Sequence, residues 1–168
     1  RDFCKTAAAA SIAAAIPGGG VFAQGSDKFR VGVIGCGGRG TGAAIDCLNA
    51  DPAVEIVALG DLVPDRVAGS LKTLTGKFAS RVNVPANRQF TGFDNYLGVC
   101  SCPEVNLIVT AAPPGFRPIH LKAAIEAGKH VFMEKPVAVD PVGVRSVITT
   151  CPIRKRETAE RVTSSIQS

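Results

Sequence analysis

Three glycines and one aspartate carry the first chemical signal in this chain. Gly35, Gly37 and Gly40 fit GxGxxG within the stretch KFRVGVIGCGGRGTG (28–42), and Asp61 follows about 20 residues past the last of them. The first glycine permits a tight turn, the second lets the backbone approach a diphosphate, and the third lets helix and strand pack closely. The phosphate would rest on the helix N-terminus, where unpaired N–H groups and the macrodipole favour an anion. Cys36, Gly38 and Arg39 complete the loop, with Arg39 placed either against phosphate or in solvent. A carboxylate at Asp61 can accept hydrogen bonds from both adenosine ribose hydroxyls while repelling a 2′-phosphate. An ordinary glycine turn and a helix-capping aspartate use the same residue types, so the flanking strands and the spacing decide for a dinucleotide site. The pattern favours NAD, with NADP as the lesser choice.

The elements that must position these residues alternate. Val31, Val33 and Ile34 suit a buried parallel strand, Ala43, Ala44, Ile45 and Leu48 a helix, and Val54 to Leu59 a second strand ending in Gly60-Asp61. Pro64 through Leu74 reads as a helix that Gly76 ends, and Lys77 to Phe93 as a long loop holding one short strand. Asp94 to Leu97 looks like a helical turn, and Val105 to Val109 like a buried strand running into a Thr110–Gly115 loop. Pro118 begins a helix with Leu121, Ala124 and Ile125 on one face and Gly128 as its C-cap. His130 to Met133 is a strand ending in Glu134-Lys135-Pro136, and Pro141 through Ile148 begins a further helix. The order predicts an α/β fold, a Rossmann-type doubly wound parallel sheet, incomplete at its C-terminal end. Gly35, Asp61, the Ala111-Ala112-Pro113-Pro114 loop and Glu134-Lys135-Pro136 all fall at carboxyl ends of strands, where such sheets bind ligands.

At 168 residues the chain allows one ordinary domain. With no Trp and one Tyr, its core must be mostly Val, Ile, Leu and Ala. The formal charge of +5 does not argue for nucleic acid, because the basic residues are dispersed and no aromatics are interleaved to stack bases. Of six cysteines only Cys100 and Cys102 are closely paired, which makes neither a zinc site nor a disulfide framework.

Residues 1–23 read as an export signal. Arg1-Asp2-Phe3-Cys4-Lys5 precedes an alanine-rich run to Ile16, then Pro17, three glycines and a small-residue cleavage pattern. The apolar run is too short and weak for a membrane span. Arg-x-Phe-x-Lys resembles the second half of a twin-arginine signal, which predicts an exported, periplasmic or extracytoplasmic protein beginning near Gln24.

VGVIGCGGRG, GDLVPDR, FDNYL and VTAAPPGFRPIHLKAAIEAGKHVFMEKPVAVD, in that order, resemble the N-terminal half of the glucose-fructose oxidoreductase, inositol dehydrogenase and rhizopine-catabolism (Gfo/Idh/MocA) family. The resemblance covers Lys28 to Thr150, and EAGKHVFMEKP is its most specific part. It implies a Rossmann domain over 28–150 that binds NAD or NADP, followed in the family by a domain that binds a sugar or polyol. On the matching residues it implies that 35–40 hold the pyrophosphate and Asp61 the adenosine ribose. It places Ala111 to Pro114 along the nicotinamide side, Lys135 at the active site, and Pro136 as a cis-proline. Glu134 would contact the nicotinamide ribose region or orient Lys135. His120 reads as a helix-face histidine hydrogen-bonded to the sheet or loop, and His130 as lying at the opposite end of the sheet.

The chain departs from the family pattern at Ala112 and Gly115, and from Cys151-Pro152 onward. Residues 151–168 show neither sheet-like nor family-like pattern, so the substrate domain, with its general base, is expected to be missing. The resulting expectation is the NAD-binding domain of an exported sugar or polyol oxidoreductase, shortened and of low activity alone, any oligomer belonging to the full-length relative. The alternatives are a non-catalytic nucleotide-binding module acting with a partner, and a fragment of an NAD-dependent glycosidase of the same family.

Overall fold

The central strand β1 (Phe29–Ile34) is apolar on both faces, and Val31 and Val33 are fully buried. A strand of that kind is stable only with helices on both sides of its sheet. The structure, a computed structural model, describes residues 28–151. The export-signal segment, the start near Gln24 and the tail beyond Cys151 lie outside the described residues.

After β1 the chain runs through α1 (Gly38–Ala50), β2 (Val54–Asp61), α2 (Pro64–Phe78), β3 (Gln89–Thr91) and α3 (Asn95–Ser101). It continues through β4 (Leu107–Thr110), α4 (Arg117–Glu126), β5 (His130–Met133) and α5 (Pro141–Thr150). All strand pairs are parallel, in the order β3-β2-β1-β4-β5. The connections leave β1 in both directions, so the switch point lies between the carboxyl ends of β1 and β4. On one face α1 and α2 bury Leu48, Val67 and Leu74 against Val31, Val33 and Ile56. On the other, α3 and α4 bury Val99 and Ala124 against Ile34 and Ile108. This is the expected Rossmann-like parallel α/β fold; α5 packs against α4 without burying a residue of its own.

Three local expectations are corrected. Gly76 does not end α2, which continues to Phe78 because the Phe78 ring packs against the core. That contact outweighs the cost of about 1 kcal/mol for a glycine inside a helix. Ile125 does not share the buried face of α4; Pro118, His120, Leu121 and Ala124 do, and Ile125 is exposed. The turn at Asp94 grows into seven-residue α3, held by buried Val99 and Cys100. Gly128 follows the α4 C-cap residue Ala127 with φ +69°, a left-handed position suited to glycine. No described helix is long and apolar enough to cross a membrane, and no cluster of metal-ligating side chains occurs among the described residues. Cys36, Cys47, Cys100, Cys102 and Cys151 are free thiols.

Candidate cofactor site

The glycine loop divides into two pairs by what a side chain would meet. Gly35 has φ +94°, and a Cβ there would stand 2.5 Å from the Ala112 amide nitrogen. A Cβ on Gly40 would overlap the Gly35 carbonyl oxygen. These two glycines let α1 and the loop after β4 close on the end of β1. Gly37 and Gly38 face open space instead, and Gly37 caps α1 with no side chain of its own. The start of α1 therefore offers bare backbone to an approaching anion.

Asp61, the last residue of β2, is buried beside that loop. Its Oδ2 accepts from the Cys36 amide at 2.7 Å and its Oδ1 from the Val63 amide at 2.9 Å. A carboxylate has about four acceptor positions, so two remain for a pair of hydroxyls. The Cys36 thiol donates toward the Gly60 carbonyl, and burial, assisted by the Asp61 charge, pushes its pKa up to about 12. Cys36 thus contributes its backbone, and its sulfur stays protonated.

Two hollows meet at Gly35, Asp61, Arg66, Ala112 and Pro113. One is an open groove over the loop, lined also by Gly37, Arg39 and Arg117. The other is an apolar cleft walled by Leu62, Phe93, Pro113, Phe116 and His120. A groove over a helix N-terminus, a carboxylate at its edge and an apolar slot beyond fit a diphosphate, a ribose and a flat base in that order.

Glu134 and Arg39 pair with each other at the rim of the groove. Arg39 donates to the Glu134 carboxylate from Nε at 2.8 Å and also from Nη2, so the two side chains hold each other. Arg39 is therefore not simply solvated, and the Glu134 carboxylate is held by Arg39. Lys135 is exposed and lies outside the walls of both hollows, and its peptide bond to Pro136 is cis.

Sequence reasoning missed Arg117. It is buried at the start of α4, where the macrodipole disfavours a cation, and that misplacement is the one signal the sequence offers. Its guanidinium donates to three backbone carbonyls at this end of the sheet: those of Ala112, Glu134 and Pro136.

His120 is not the hydrogen-bonded helix-face histidine expected from the sequence. Its ring stacks on Tyr96 with centroids 4.6 Å apart and on Phe116 at 6.2 Å, and its Nδ1 is buried without a hydrogen-bond partner. Desolvation lowers its pKa to about 4, so the ring is neutral near pH 7. His130 opens β5, which leaves it at the far end of the sheet from the loops.

The family model described as an oxidoreductase family with an NAD-binding Rossmann fold matches residues 29–159. A glycosyl hydrolase family 109 protein of Bacteroides fragilis is 35% identical over 125 residues, covering 74% of this chain and 26% of that protein. One from Streptomyces niveus is 36% identical over 111 residues, covering 66% and 21%. The chain thus spans about a quarter of the length of these curated relatives. Among solved structures, KijD10, a 3-ketoreductase of Actinomadura kijaniata in complex with TDP-benzene and NADP, is 26% identical with a TM-score of 0.55, covering 73% of this chain and 34% of that one. The scyllo-inositol dehydrogenase of Lactobacillus casei, with NAD(H) and scyllo-inositol, is 21% identical with a TM-score of 0.59, covering 73% and 32%; this likeness is one of fold.

Proposed function

The chain belongs to the Gfo/Idh/MocA oxidoreductase family, and from that premise we propose that it is the cofactor half of an enzyme that oxidises or reduces a sugar or polyol with NAD. The observation that carries this reading is the bare backbone at Gly37 and Gly38, set beside the Asp61 carboxylate by the close packing of Gly35 and Gly40. In this reading the amides at the start of α1 bind the diphosphate, and Asp61 takes the adenosine ribose and disfavours a 2′-phosphate. The base enters the cleft beside Phe93 and Phe116, and the Ala111 to Pro114 loop, whose Ala112 and Pro113 also line that cleft, runs on along the nicotinamide side. The bound nicotinamide supplies hydride transfer. Lys135 contributes a cation that polarises a substrate hydroxyl. The general base is proposed to come from the substrate domain of the full-length relatives, so turnover by residues 28–151 alone is proposed to be negligible. The test is an equilibrium titration of the chain with NADH and NADPH followed by nicotinamide fluorescence. NADH should bind more tightly; no binding of either would end the reading.

A second reading is NAD-dependent glycoside cleavage by transient oxidation, supported by curated relatives named as glycosyl hydrolase family 109 proteins at about a third identity. Release of an aryl leaving group without net NADH accumulation would favour it; NADH accumulating from a free polyol would favour the dehydrogenase. Export is a separate proposal that rests on the leader-like residues 1–23. N-terminal sequencing of the secreted protein should begin near Gln24.

A further inference from the structure

We infer that Arg117 is the positioning residue that ties the loop after β4 to the turn after β5 and so sets where Lys135 stands against the groove. The inference rests on the cofactor reading above. The Arg117 Nε donates to the Ala112 carbonyl at 2.8 Å, and its Nη1 donates to the Glu134 carbonyl at 2.6 Å and to the Pro136 carbonyl at 2.5 Å. Two of those carbonyls belong to the residues on either side of Lys135. The third belongs to a residue that lines both hollows. No acceptor lies within α4 or inside the sheet, so the guanidinium spends all three of these bonds at the ligand-binding end of the fold.

The clamp is costly, which argues that its geometry matters. Burial depresses the Arg117 pKa, and the Glu134 charge acts in the opposite direction without cancelling it. A buried cation satisfied by carbonyls alone holds those carbonyls in a fixed fork, since the guanidinium is planar and its donors cannot rotate independently. An ammonium has three donors but no such plane. Through Glu134 the clamp continues to Arg39 at the start of α1, so the ends of β1, β4 and β5 are held as one unit.

Arg117→Met and Arg117→Lys in the full chain test this, with NADH and 5′-AMP as probes. AMP reaches Asp61 and the cleft beside Phe116, and so meets one of the two clamped segments, whereas NADH also extends to the turn after β5. Arg117→Met should weaken NADH by about tenfold or more and AMP severalfold less, because AMP meets only one of the two clamped segments. Arg117→Lys should recover part of the loss, and hydrogen exchange in Arg117→Lys should rise in 111–116 and 134–138 but not in β1 or β2. Equal losses for AMP and NADH, unchanged NADH affinity, or collapse of both variants would overturn the inference and leave Arg117 a general stabiliser. Failure of the unmodified chain to bind either nucleotide would instead end the cofactor reading, and the inference with it.

Discussion

The Arg39 guanidinium and the Glu134 carboxylate, 95 residues apart in sequence, meet at the rim of the groove and join the start of α1 to the end of β5. The glycine loop and the Glu134-Lys135-Pro136 turn are thereby coupled before any ligand arrives.

That pair gives the acid limb of stability a signature. The hydrogen bond from Arg39 holds the Glu134 pKa below its ordinary 4.5. A carboxylate depressed in the folded state stabilises the fold above 4.5 and loses that contribution as pH falls through its lower folded value. Glu134→Gln removes the titration, so below pH 4.5 the melting temperature should fall less steeply in the variant than in the unmodified protein. Parallel curves would show that the pair contributes nothing.

His120 governs a higher window. Its folded pKa of about 4 lies below the ordinary 6.5, so the unfolded chain binds the proton first as pH falls. Stability from keeping the ring neutral is complete above 6.5 and is lost between 6.5 and 4, by up to about 3 kcal/mol. His120→Leu should flatten the stability curve in that interval, as followed by urea unfolding at several pH values.

The two pairs of loop glycines should separate stability from binding. Gly40→Ala drives a methyl group into the Gly35 carbonyl and should destabilise by about 2–3 kcal/mol or more. Gly37→Ala meets open space and should cost under about 1 kcal/mol, yet its methyl stands where a diphosphate would approach. Thermal melts paired with NADH titrations check both. Equal melting temperatures for the two variants would contradict the division.

Asp61→Ser tests the ribose contact. Loss of the carboxylate leaves the Cys36 and Val63 amides without their acceptor, at a cost of about 1–3 kcal/mol. It also removes the charge that opposes a 2′-phosphate beside Arg66, which lines the same hollows. The expected result is weaker NADH and tighter NADPH binding; an unchanged ratio of the two affinities would refute the assignment.

The central strands were legible because a parallel sheet needs continuous apolar runs, and Val31 to Ile34, Val54 to Leu59 and Leu107 to Val109 supply them. The glycine loop was legible because so few residue types tolerate its geometry. Long-range polar contacts were not. Nothing near Arg39 in sequence points to Glu134, and nothing near Arg117 points to the carbonyls of Glu134 and Pro136. The stacking of His120 on Tyr96 escaped notice for a related reason: it joins α4 to a residue of α3, and local periodicity contains no contact between helices.

The central place of β1 also has a kinetic meaning. Its backbone amide at Arg30 bonds the side chain of Asn106, 76 residues later, and Val31 pairs with Leu107 in the adjoining strand. Closing so long a loop costs entropy before any contact repays it. The contact of Gly35 with the Ala111–Ala112 backbone cannot exist until that closure is made. The groove exists only once that closure is made, so a ligand that occupies it is expected to slow unfolding more than it speeds folding.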